Sequence, residues 1–166
     1  MQQEDFREKI YPDGDHYSIG FGTHLGYSDA REKLASVGLD YDLVMKREQK
    51  ISREKALILL QDGIKVARAG AQRVITNFSS QPKEIQDMLT RMAYSHGSSG
   101  LKEYKNMNRF ISAREYAVAA YCLKLSDWYT NKSTRSRAEE ERQILLQAEQ
   151  KYKSIGTKRV TSLGQK

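Results

Sequence analysis

A chain of 166 residues with 39% hydrophobic and 30% charged side chains is long enough to bury one core or two small ones, and too apolar to stay disordered. Its 28 lysines and arginines exceed its 21 aspartates and glutamates, a formal +7 that points to a polyanionic partner, while a lone Cys122 excludes an internal disulfide. No run approaches the ~20 apolar residues of a membrane span, and the start of the chain is too polar for a secretory signal, so no membrane span is expected and another agent would deliver the protein beyond the cytoplasm.

In chain order, residues 5–9 read as a short helix and 11–14 as the turn after it. Residues 16–25 mix β-branched and aromatic side chains with Gly20 and Gly22, which predicts a small sheet with tight turns. A short helix is expected over 29–37, started by Ser28 or Asp29 and stopped by Gly38. Ser52 is then a plausible N-cap, and Ala56, Leu59, Leu60, Ile64, Ala67, Ala71, Val74, Ile75 and Phe78 follow at steps of three and four. That spacing predicts one long helix. Further helices are expected over 83–95, 112–125 and 135–152, with the HGSSG run at 96–100 as a loop. The sum is an α+β protein: a small N-terminal β-containing lobe (1–51), an inter-lobe helix (52–78), a larger helical lobe (79–152) and a basic C-terminal tail (153–166).

Charge is unevenly spread along these parts. Residues 1–80 hold 12 basic and 12 acidic side chains, 81–150 hold 11 and 9, and 151–166 hold 5 and none. The surplus therefore sits mostly at the C-terminal end, which reads as a flexible or loosely docked extension able to approach anionic polymers. Arg135, Arg137 and Arg142 alternate with Glu139, Glu140 and Glu141, a pattern of a solvated, ion-paired helix face. With no helix-turn-helix, zinc-finger or RNA-binding signature, nucleic acid is not expected as a partner.

Glu4 and Asp13 stand nine positions apart across a change of secondary structure. Two carboxylates facing each other across a cleft are what glycosidic hydrolysis needs, one protonated to release the leaving oxygen and one ionised to activate water or attack the sugar. Taken by spacing alone, solvated surface charges are the commoner state of such residues. His16 and His24 lie near Asp13 and Asp15, but without HExxH, paired cysteines or EF-hand spacing no metal is expected. His24 is expected to tie the β-lobe together, with Asp62 as its partner. His96 falls at a helix end, Trp128 reads as packing, and Cys122 as a small buried hydrophobe.

A wider pattern joins these residues. The run Glu4, Tyr11, Asp13, Ser18-Ile-Gly-Phe-Gly and His24 resembles the phage-type lysozymes, or endolysins, whose motif is Glu, then Tyr-x-Asp, then Thr-Ile-Gly-x-Gly and His. Ile51-Ser52 is similar to the start of that family's inter-lobe helix. Arg91-Met-Ala-Tyr-Ser-His-Gly resembles its buried helix and closing turn, and Asp127-Trp-Tyr with Arg137-Ala resembles its C-terminal Trp-Tyr and Arg-Ala pairs. The chain departs from the motif in carrying Ser18 for Thr and in placing Thr23 before His24.

The resemblance implies a peptidoglycan muramidase that cleaves the β-1,4 bond between N-acetylmuramic acid and N-acetylglucosamine with inversion and without a cofactor. It assigns Glu4 as general acid, Asp13 as the carboxylate that positions or activates water, and Ser18 as its hydroxyl partner. Leu25 and Tyr94 fall where the family contacts glycan. A monomer is expected, held in the host cytoplasm before release to the cell wall or carried on a virion with tail components as partners. A lysozyme-fold protein that binds glycan or builds a virion without turnover is the alternative.

Overall fold

A computed structural model describes the backbone of residues 6–163 and the side chains of residues 6–153. It is a mixed α+β protein, mostly helical, with one small antiparallel sheet. The chain forms two compact units, Met1–Lys65 and Val66–Lys166.

The N-terminal unit opens with strands β1 (Arg7–Asp13), β2 (His16–Gly20) and β3 (Thr23–His24), paired in the order β1-β2-β3. Residues 7–9, expected as helix, are strand. Five residues are too few to nucleate a helix, whereas pairing with β2 satisfies the backbone and buries Ile10 and Ile19. The pairing of Asp13 with His16 leaves Gly14 and Asp15 as a two-residue loop, and Gly14 takes φ +62 as a hairpin of this twist requires at its first position. Pro12, lacking an N–H, sits on the edge strand where this costs least.

Helix α1 (Ala30–Ser36) begins after Asp29, as expected, although Asp29 pairs with Lys33 at 2.8 Å and does not cap by its side chain. Its end is a Schellman turn. The N–H of Gly38 donates to Ala35 O and that of Leu39 to Leu34 O, both at 2.9 Å, and Gly38 supplies φ +69. Leu34 and Leu39 both lie inside a core that includes Ile19, Phe21, Val44 and Ile51. The short α2 (Tyr41–Met45), which has no counterpart among the expected helices, is capped by Asp40 accepting from Leu43 N.

Helix α3 (Arg53–Val74) belongs to both units. Ser52 caps it as the sequence indicates, its Oγ accepting from Lys55 N at 3.3 Å. Ala56 and Leu59 join the first core, and Ala67 and Ala71 the second. The helix stops four residues short of expectation, and Phe78 instead opens the 3₁₀ turn Phe78–Ser80.

The second unit packs α4 (Lys83–Glu103), α5 (Lys105–Ser112), α6 (Tyr116–Lys124), α7 (Asp127–Thr130) and α8 (Arg135–Leu163) around Ile85, Met88, Leu89, Met107, Leu123 and Leu145. The run at 96–100, expected as a loop, is helical except at Gly97, whose φ of 70 and ψ of 164 kink α4. Gln81 is buried but fully engaged: its amide donates to Asn77 Oδ1 and Ile111 O, and its carbonyl accepts from Tyr116. The backbone beyond Tyr152, expected as an extension, continues α8 to Leu163. Among the described residues no helix is long and apolar enough to cross a membrane.

Candidate active site

Strand pairing sets the geometry of the residues singled out around position 13. Directly opposite residues of an antiparallel pair project to the same face, as do alternate residues of one strand. Asp13 faces His16, Tyr11 faces Ser18, and Ser18 faces His24. Asp13, Ser18, His16 and His24 therefore share one face of the sheet.

On that face the Ser18 Oγ donates to Asp13 Oδ2 at 2.7 Å. Ser18 is fully buried at 0% exposure, while Asp13 is exposed at the mouth of the hairpin. A buried hydroxyl thus donates to one oxygen of the carboxylate of an exposed residue. This arrangement can orient a water molecule and accept its proton. Ser18 holds its place because Ile19 and Gly20 on either side of the pleat are buried too; a Cβ at Gly20 would lie 2.9 Å from Ala56 Cβ, so the strand approaches α3 closely.

Glu4 lies outside the described residues. Leu25, expected at glycan, is a core residue. It is 3% exposed, its N–H donates to Tyr17 O at 2.8 Å, and its carbonyl accepts from Tyr41 Oη at 3.1 Å, so its side chain offers no open surface. Tyr94 is half-buried on α4 against the helical core.

His24 does not make the expected hydrogen bond to Asp62. Its Nδ1 accepts from Gly26 N at 3.2 Å and its ring meets those of His16 and Tyr27, whereas Asp62 pairs with Lys65 on its own helix. Among the described residues no three His, Cys, Asp or Glu side chains come together to hold a metal ion.

His96 is the last residue before the Gly97 kink, its ring edge-on to Trp128 at 4.6 Å. Burial, with the Arg137 charge adding to it, pushes its pKa below the ordinary value. Trp128 packs against the helical core as the sequence suggests, whereas Cys122, expected buried, is only partly buried against it. The glutamate-arginine run of α8 is less uniformly solvated than expected. Glu141 is only 7% exposed and receives a two-pronged bond from Arg91, Nε to Oε1 at 2.9 Å and Nη2 to Oε2 at 2.6 Å. The sequence groups His16 with His24 but gives no sign that Tyr27 joins them beyond Gly26, the small residue between His24 and Tyr27.

Compared with protein-family models and with curated proteins, the chain matches none.

Proposed function

We propose that the protein is a peptidoglycan muramidase of the phage-lysozyme kind, with that family's two-lobed fold. The observation that carries the reading is the Ser18–Asp13 hydrogen bond, which joins the two residues that the family motif pairs as water-positioning groups. The start of α3 at Ser52 and the α+β order of elements support it further.

In this mechanism Glu4, protonated, donates to the glycosidic oxygen as the anomeric carbon–oxygen bond breaks. A water held by Asp13 attacks the anomeric carbon from the opposite side, and its proton passes to the Asp13 carboxylate, so the anomeric configuration inverts. Ser18 holds the carboxylate in orientation. The chemistry needs no cofactor. The polymer partner is cell-wall peptidoglycan, reached from the host cytoplasm at lysis or from a virion.

The test is release of new reducing ends from purified peptidoglycan by the parent protein and by Glu4→Gln and Asp13→Asn. Release by the parent and its loss in both variants, with the fold intact by circular dichroism, is the expected result. A parent that binds peptidoglycan without producing reducing ends would replace this reading with that of a non-catalytic glycan-binding or virion protein.

A further inference from the structure

Residues 1–80 are neutral by count, but the fold separates their charges. The Ile51 N–H donates to Glu8 O at 2.9 Å and Lys50 Nζ meets Glu8 Oε1 at 2.7 Å, so the start of β1 lies beside the connection from α2 to α3. Residues 7–9 and 46–55, joined in this way, hold seven basic and three acidic side chains, whereas the rest of that span holds five and nine. Lys9, Lys46 and Arg47 are exposed and, among the described residues, form no ion pair. The platform beneath them is fixed: Gln49 Oε1 accepts from Asp40 N at 2.7 Å, and the Arg53 guanidinium lies over the Phe6 and Phe21 rings at 5.8 and 5.1 Å. Arg47 is the outlier. It closes α2 at φ 62 by the same turn with which Gly38 closes α1, so a free cation is held there under strain that glycine escapes.

Exposed cations gathered on one face, one of them strained and without a partner, mark a surface for an anion. We infer that this face docks a cell-wall polymer whose repeating unit is a polyol phosphodiester. The cations fan out on separate supports, Lys50 on Glu8, Arg53 on two rings and Arg47 on the end of α2, which suits a repeating anion more than a single phosphate. Ile51, the one apolar residue within 46–55, is 2% exposed, so a bilayer finds no apolar side chain to bury there. Phe6 and Phe21 lie under Arg53 and Tyr11 under Arg7, so nucleic-acid bases find their stacking places taken. The choice of a wall polymer among phosphate chains rests on the muramidase reading; the anion surface does not.

Binding of poly(glycerol phosphate) to the full chain is measured by calorimetry at several salt concentrations, with Arg47→Gly and, from the second unit, Lys105→Gln as a control of equal charge. Arg47→Gly relaxes the turn, so lost binding in it is not lost folding. It should weaken binding about three- to tenfold and lower the salt slope by about one, with Lys105→Gln within about twofold of the parent. Absent binding, an unchanged affinity in Arg47→Gly, or equal losses in the two variants overturns the docking face. Tighter binding to oligothymidylate or to phosphatidylglycerol vesicles than to the polymer overturns the choice of partner. Reducing-end release from polymer-free peptidoglycan should be the same in Arg47→Gly as in the parent. A protein that docks the polymer but releases no reducing ends overturns the muramidase reading alone, and one that hydrolyses peptidoglycan without docking the polymer overturns this inference alone.

Discussion

The Ser18 hydroxyl and the Asp13 carboxylate are joined by a 2.7 Å hydrogen bond although one residue is fully buried and the other exposed. The bond is therefore directional: the protein interior grips the solvent-facing group. Ser18→Ala removes the grip but leaves a carboxylate that water can still solvate, so the stability cost should be only about 0.5–1.5 kcal/mol. On the proposed muramidase reading, activity should fall much further, because an unheld base would misplace its water, and a displacement near 1 Å costs about 100-fold. Asp13→Asn keeps an acceptor for Ser18 and so the fold, but removes the proposed base, and on that reading turnover should drop at least about 100-fold. Urea denaturation and reducing-end release on the same variants check both halves; a large stability loss in Ser18→Ala with unchanged turnover would make the bond purely structural.

Two arginines occupy the left-handed region at helix ends, Arg47 at φ 62 after α2 and Arg114 at φ 60 after α5. Each closes a Schellman turn, the N–H of Arg47 donating to Val44 O and that of Arg114 to Ile111 O, both at 2.9 Å. A side chain at such a position costs roughly 1–2 kcal/mol that glycine escapes, less the entropy glycine loses on folding. Arg47 is exposed and, among the described residues, makes no side-chain hydrogen bond or ion pair, so Arg47→Gly should stabilise by about 0.5–1 kcal/mol. Arg114 offsets its strain by donating from Nη2 to Ser80 O at 2.7 Å, so Arg114→Gly should be near neutral or destabilising. Equal shifts in the urea midpoint would contradict this.

Arg91 and Glu141 form a forked ion pair between α4 and α8, but their side chains are unequally exposed, 41% for Arg91 and 9% for Glu141. Removing one partner strands the other. In Glu141→Ala the guanidinium can turn to water, whereas in Arg91→Ala a buried carboxylate loses its cation. The expected costs are about 1–2 kcal/mol for Glu141→Ala and about 3 kcal/mol for Arg91→Ala. Thermal or urea unfolding measures the order, and a larger loss in Glu141→Ala would show that the pair's burial is not what decides it.

What could be read from the sequence divides along a physical line. The Ser52 cap and the Gly38 stop are local: a side-chain oxygen meets an N–H three residues on, and a glycine supplies a positive φ where the chain must reverse. Pairing of β1 with β2 depends on partners across a hairpin, and residues 7–9 alone carry no apolar period that distinguishes strand from helix. The short α5 buries Met107, Asn108 and Ile111 within two turns, too brief a pattern to stand out. The run at 96–100 misled because Gly97 breaks helical geometry at one residue only and α4 resumes after it. At the site, Asp13 and Ser18 were legible as types in a motif, but the burial of Leu25 and the meeting of His16, His24 and Tyr27 arise from tertiary packing that no local spacing encodes.

His96 should make the protein acid-sensitive. Its Nε2 is buried and, among the described residues, has no hydrogen-bond partner, and its ring lies against Trp128 and Tyr104. Burial first, and the Arg137 charge second, hold its pKa below the ordinary 6.5. Between that lowered value and 6.5 the unfolded chain binds a proton that the folded chain refuses, so stability rises with pH through this window and falls on acidification. His96→Phe keeps a ring against Trp128 while removing both the titration and the orphaned nitrogen. Denaturant midpoints of the parent measured between pH 8 and pH 5 should drop more steeply than those of His96→Phe, the two curves converging toward the alkaline end apart from a constant offset. Parallel curves across the window would show that His96 does not carry the acid sensitivity.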